Sequence, residues 1–259
     1  MYIISPPSVA SMVQAGWADY GTGKYASALG HFESAISQDA ACFDGYNGLG
    51  WSSFKLGDFS EAIDYFRFLL PLREAKPALA ADGYAGLAAL YMTQNEDELA
   101  IDAAWEVLSI AGEAYTFTHD SSITSEDIHV LLARCYYNNG NFYKSQLQVN
   151  AVDPNFPEPS LISSKTVVDT VAAAIDSLHM RIYLTTTFPN IILVSSVTDS
   201  LGQIDYEVVD VPGEENRIEV TGESLPSAGR HFIVEYTYVE DYFEYLIVLA
   251  QKIESLAAF

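Results

Sequence analysis

The sequence predicts an α + β protein. An N-terminal solenoid of about four helix pairs with a capping helix is followed by a small antiparallel β-sheet module that ends in a C-terminal helix. Two observations lead there. Overlaying the chain on itself with a shift of 34 residues aligns Gly16 with Gly50, Trp17 with Trp51, Tyr20 with Phe54, Gly23 with Gly57, Tyr25 with Phe59, Ala28 with Ala62 and Phe32 with Phe66. From about Phe188 the composition changes to short β-rich runs divided by turn-like segments. The expected boundaries are an extended segment at 1–10, the solenoid with its cap at 11–184 and the β module at 185–259.

Each unit reads as two antiparallel helices. Gly16 and Gly50 admit a neighbouring helix at close range, and Gly23 and Gly57 stand where a helix stops and reverses, a place that favours positive φ. Ala28 and Ala62 keep the second helix thin at the crossing, while Tyr20, Phe32, Phe54 and Phe66 fill the space between the pair. These residues resemble the tetratricopeptide repeat (TPR), with YNGLGWSSFKLGDFSEAIDYF at 46–66 and AGWADYGTGKYASALGHF at 15–32 as the nearest stretches. A third unit keeps Tyr84, Leu87 and Ala100, with Ala88 in place of the helix-contact glycine and Asn95 at the turn. Its Ala100 lies 38 residues after Ala62, an insertion of about four residues around Pro71 to Pro77. The fourth keeps Leu132, Ala133, Tyr137, Gly140 and Phe142, carries Ser145 at the repeat alanine, and stops at Asp153-Pro154-Asn155. The resemblance spans residues 11 to about 155. The GWxxY repeats, the YxFxHDxSI linker and the LLAxxYY helix together resemble tetratricopeptide lipoproteins of bacterial envelopes, although the lipid-bearing amino-terminal Cys of such proteins is missing from this sequence.

Roughly eleven extra residues separate units three and four. They hold His119, Asp120, Ser121 and Ser122, with His129 and Cys135 close behind. Adjacent side chains point in different directions, and the sequence has no GxSxG elbow, so this is expected to be a loop and not a triad. Thr124-Ser125-Glu126-Asp127 predicts a capping box that starts the next helix, with Ile123 and Ile128 as its staple. An insertion in a solenoid projects on one face and makes contacts, which marks Tyr115, Phe117 and His119 as assembly residues. Ser164 to Leu184 places Val167, Val168, Val171, Ala174, Ile175 and Leu178 on one helical face and predicts the cap of the stack. Beyond it NIILVSSV, QIDYEVVDV, NRIEVTG and RHFIVEYTYV read as four strands. Phe232, Val234, Tyr236 and Tyr238 share a face, and Tyr242, Tyr245, Leu246, Leu249, Ile253 and Leu256 form the apolar stripe of a covering helix.

With 12 basic against 35 acidic residues the formal charge is −23, which repels nucleic acid and anionic membrane surfaces. No stretch approaches a membrane span, and MYIISPPSVASMV has no basic start and is interrupted by Pro6-Pro7, so no leader is visible. Cys42 and Cys135 form no metal-ligand spacing, and Cys135 reads as a buried, inert thiol. No cofactor or metal is expected.

The leading expectation is a non-catalytic protein that binds other proteins or copies of itself, since stacked helix pairs make a groove for a peptide. Repeat geometry lines that groove with Asn47, Trp51, Tyr84 and Arg134. The alternative is the subunit of an extracellular homopolymeric filament in which Tyr2, Ile3 and Ile4, or the β edge, dock on a neighbour. A third reading, an enzyme in the β module, draws only on Asp205, Glu207, Asp210, Glu214 and Glu215. The Lys-poor, Tyr-rich composition suggests the cell envelope or the exterior.

Overall fold

The computed structural model describes residues 7–157, 162–176, 181–186, 190–199, 202–208, 217–220 and 231–256. The chain divides into two compact units, Met1–Cys135 and Tyr136–Ala258.

The first unit holds the helix pairs α1 (Val9–Gly21) and α2 (Tyr25–Gln38), α3 (Phe43–Leu56) and α4 (Phe59–Leu69), and α5 (Pro77–Thr93) and α6 (Asp97–Ala111). A hairpin of β1 (Thr116–Phe117) and β2 (Asp120–Thr124) follows. The fourth pair is α7 (Ser125–Asn138), within which the unit boundary falls, and α8 (Phe142–Val152). The first helix starts at Val9, capped by the Ser8 hydroxyl, so the extended segment expected at 1–10 is already helical at its end. The reversal inside every pair is built alike. Gly23, Gly57, Asn95 and Gly140 take positive φ, and the amides of Lys24, Asp58, Glu96 and Asn141 bond the carbonyls of Asp19, Ser53, Tyr91 and Tyr136 five residues back. This is the Schellman pattern that a left-handed residue permits, and Asn95 serves where the other units have glycine.

Close packing of the stack depends on two aromatic rings. A Cβ built on Gly16 would lie 2.5 Å from the Phe32 ring, and one on Gly48, across in α3, would lie closer still. Phe66 is held likewise between Gly50 of α3 and Gly86 of α5. Each ring therefore fills the space between its own pair's first helix and the first helix of the next pair. The third unit has Ala104 at the ring's repeat position and Ala88 at the glycine's, both fully buried, so a smaller side chain on one helix goes with a larger one on the other.

The second unit contains a seven-stranded sheet, every pairing in it antiparallel, built from β3 (Ser164–Asp176), β4 (Arg181–Thr185), β5 (Ile191–Asp199), β6 (Gly202–Gln203), β7 (Tyr206–Val208), β8 (Arg217–Val220) and β9 (His231–Val239). The spatial order is β6-β5-β9-β3-β4-β8-β7. The helix expected over Ser164 to Leu184 as a cap is thus corrected to the strands β3 and β4, while Leu178 of its expected face lies outside the described residues. Its valines satisfy alternation as well as helical spacing: Val167 and Val171 face the core while Val168 lies exposed. Pairing with β9 from Ser164↔Val239 to Ala172↔His231 then decides for strand, since β-branched residues suit a pleated surface.

Phe232, Val234, Tyr236 and Tyr238 of β9 are all buried, as their alternation predicts. The helix that enters the sheet's core is α8, whose Tyr143 hydroxyl accepts from the Val194 amide at 3.3 Å. The expected cover, α9 (Tyr242–Leu256), buries Tyr245, Leu249 and Ile253, and the Tyr245 hydroxyl donates to Gln146 of α8 at 2.7 Å. Asp205 is exposed and Glu207 lies on β7, while Asp210, Glu214 and Glu215 fall outside the described residues. No helix among the described residues is long and apolar enough to cross a membrane.

Candidate interaction site

The first helices α1, α3 and α5 lie side by side, the arrangement from which the sequence predicts an open groove. It is not open. The inserted segment after α6 turns inward across all three helices, which corrects the expectation that Tyr115, Phe117 and His119 project outward. Gly112 ends α6 with φ 60° and ψ −153°, backbone that only glycine adopts easily, and so redirects the chain.

From that turn the contacts follow in order. The Tyr115 hydroxyl donates to Asp82 Oδ1 of α5 at 3.4 Å. Phe117 is buried against Trp17 of α1 and Trp51 of α3, with ring centroids 5.8 and 5.0 Å apart. Thr118 hydrogen-bonds Asp82 through backbone and side chain. His119 stacks on Trp17 at 3.7 Å, and its Nε2 pairs with Asp44 Oδ1 of α3 at 2.7 Å. The capping box closes the segment as the sequence predicts: the Glu126 amide donates to Thr124 Oγ1 at 3.3 Å, and the Thr124 amide to Asp127 Oδ2 at 2.8 Å.

Three carboxylates carry this attachment, and sequence reasoning missed two of them. Asp44, Asp82 and Asp127 occupy one repeat position on α3, α5 and α7, separated by 38 and then 45 residues, the spacings already set by the two insertions. The same position in the first unit is Ala10. A recurring acid was therefore readable, but only once the insertions had been allowed for.

Asn47 and Trp51, expected to line the groove, are buried beside the hairpin, and Asn47 donates to Asp82 Oδ2 at 3.1 Å. Among the described residues Asn47 Oδ1 and Trp51 Nε1 have no hydrogen-bond partner. Tyr84 lines a different cleft with Arg67, Leu70, Tyr91, Leu99 and Trp105, and Arg134 is half-buried beside Cys135. Tyr2, Ile3 and Ile4 lie outside the described residues. The triad-like cluster is taken apart. His119 goes to Asp44, Asp120 accepts from the Ser122 amide and hydroxyl at 2.9 and 2.6 Å, and His129 pairs with Glu113 at 3.0 Å. Both cysteines are free thiols. Burial, with Asp97 alongside, pushes the Cys135 thiol up, and burial does the same to Cys42. Among the described residues no group of three His, Cys, Asp or Glu could hold a metal.

Burial pushes the Asp82 carboxyl up to about 6, against the hydrogen bonds from Thr118 and Asn47 and the nearby His119. Tyr115 is raised by burial and by Asp82. A carboxyl raised in the folded protein stabilises it most below its ordinary value of 3.8 and loses that contribution as pH rises through 6. Lowering the pH from 7.5 to 5 should therefore favour the wild type over Asp82→Asn by about 1 kcal/mol. Urea unfolding at the two pH values, followed by tryptophan fluorescence, checks this. All three tryptophans lie in the first unit. An identical pH response in both proteins would be the contrary result.

The helix pairs, whose first-helix face is filled by the chain's own hairpin, form a TPR-like α-helical repeat, and the second unit adds an antiparallel β module. No family model matches the chain, and no curated protein does. Among solved structures it is similar to YrrB, a TPR protein described as having an unusual peptide-binding site, at 15% identity and a TM-score of 0.45, covering 58% of this chain and 70% of that one. It is also similar to TTC0263, a thermophilic TPR protein of Thermus thermophilus, at 16% identity and a TM-score of 0.34, covering 58% and 93%.

Proposed function

We propose that this is a non-catalytic interaction protein whose first-helix face receives polypeptide. The observation that carries the reading is the hairpin itself. A ten-residue stretch, Tyr115 to Thr124, lies across α1, α3 and α5 through the buried rings of Tyr115 and Phe117, one stacked imidazole and hydrogen bonds to recurring aspartates. Aromatic anchors with a few placed polar contacts are what peptide grooves use. The acidic charge favours basic partners over nucleic acid. The Lys-poor composition supports a place at the cell envelope or outside the cell.

Selecting peptides from a displayed random library against the intact protein tests the reading. Selected peptides should protect backbone amides of α1, α3 or α5 in hydrogen exchange. Failure to enrich any sequence, or protection confined to the second unit, would sink it.

A further inference from the structure

The hairpin leaves one end of the first-helix face uncovered. A cleft of about 640 Å³ opens there, lined by Val9, Ala10, Val13, Trp17, Asp44 and His119, with Gln14 and Cys42 completing it. The volume is in the range of small-ligand pockets. Asp82 and Asp127 are buried, whereas Asp44 keeps about a third of its side chain exposed. Both protein donors to Asp44, Trp17 Nε1 at 3.2 Å and His119 Nε2 at 2.7 Å, engage the same oxygen, Oδ1. Oδ2 has no partner among the described residues. The carboxylate is therefore already oriented, with one acceptor unspent at the rim of a wall made by Val9, Ala10, Val13 and Trp17. At the repeat position where the other units have aspartate, this end has Ala10, so the wall is apolar and carries no second charge.

We infer that this cleft binds a lysine or arginine side chain of a partner polypeptide together with an adjacent aliphatic residue. The cation meets Asp44 Oδ2, and its methylene stem and the aliphatic neighbour cover the wall. A fixed carboxylate needs no reordering to accept the charge, and a protein of net charge −23 draws cationic segments and repels acidic ones. This inference rests on the interaction reading above and specifies its partner.

The probe is the acetylated, amidated octapeptide Gly-Ser-Leu-Leu-Lys-Gly-Ser-Gly, with a second version in which glutamine replaces lysine. Each is titrated into the intact protein up to about 5 mM, the weak end of measurable affinity, and followed in nitrogen–proton correlation spectra. The lysine peptide should shift the amides of Val9, Val13 and Asp44 and the Trp17 indole, and the glutamine peptide should bind about tenfold more weakly. Asp44→Asn keeps the oxygen that accepts from Trp17 and His119 but removes the charge. It should weaken the lysine peptide about tenfold and leave the glutamine peptide unchanged. Equal binding of the two peptides, indifference of the lysine peptide to Asp44→Asn, or no shift at these residues would each overturn the inference. Library peptides that protect other parts of α1, α3 or α5 would leave the interaction reading standing while this cleft fails.

Discussion

Replacing Phe66 by alanine should destabilise the first unit by about 3–5 kcal/mol, the range for a fully buried phenylalanine. The ring is completely enclosed and fits between Gly50 of α3 and Gly86 of α5, with Trp51 edge-on at 5.5 Å. Helices held apart by an aromatic wedge and lacking side chains at the contact cannot close the gap without moving the whole interface, so the cavity term remains large. A solenoid is coupled only through neighbouring interfaces, which makes the α3–α5 contact the place where the stack should divide. Against a typical domain stability of about 5–15 kcal/mol, the loss is a large fraction. Urea unfolding monitored by tryptophan fluorescence measures it. Adding Gly86→Leu to Phe66→Ala should recover part of the loss by filling the space from the other side. A shift of less than about 1 kcal/mol in Phe66→Ala would mean that the ring does not wedge the helices apart.

Phe117→Ala should open the hairpin. The Phe117 ring is the one side chain of the insertion that packs on Trp17 and Trp51 together, and truncating it also removes the edge contact that His119 makes at 6.0 Å. The expected cost is again about 3–5 kcal/mol if the unit unfolds as a whole. Local release limits it, because the segment is fastened at its base independently. Ser125 Oγ bonds the Glu113 carbonyl at 3.0 Å, and the Ser125 amide bonds the Tyr115 carbonyl at 3.1 Å. The distinguishing measurements are acrylamide quenching and hydrogen exchange. In the variant, Trp51 fluorescence should become quenchable and amides from Tyr115 to Thr124 should lose protection, while those of α2 and α4 keep theirs. Ser121→Ala, at an exposed position of the hairpin, should change neither. If Phe117→Ala leaves quenching unchanged, the ring is not what holds the segment down.

An opened hairpin also bears on the buried polar atoms beneath it. Among the described residues Asn47 Oδ1 and Trp51 Nε1 lack partners, and an unsatisfied buried group costs about 1–3 kcal/mol. In Phe117→Ala these atoms should gain access to water, which offsets part of the stability lost with the ring.

Much of the helical unit was legible in the sequence because its determinants are local and periodic. A left-handed residue at each reversal, an aromatic on the second helix of units one and two and a small residue opposite it can be read off at fixed offsets, and the capping box at Thr124 is a four-residue pattern. Asp44 and Asp82 escaped notice for the opposite reason, since a single acid on an amphipathic helix reads as solvent-facing until its repeat position is compared. In the second unit the run from Ser164 carries both helical and alternating spacing, and nothing inside it chooses between them.

By itself, then, the sequence determined the helix pairs, their reversals and the buried face of β9, all fixed by residues near one another in the chain. Only the tertiary structure decided that β3 is a strand, because its partner β9 lies far along the chain and backbone pairing is realised only when the two meet. It also decided that the insertion folds inward. Phe117 and His119 gain two tryptophans and a carboxylate from helices up to about a hundred residues earlier, and burial of that aromatic surface outweighs leaving the segment in water.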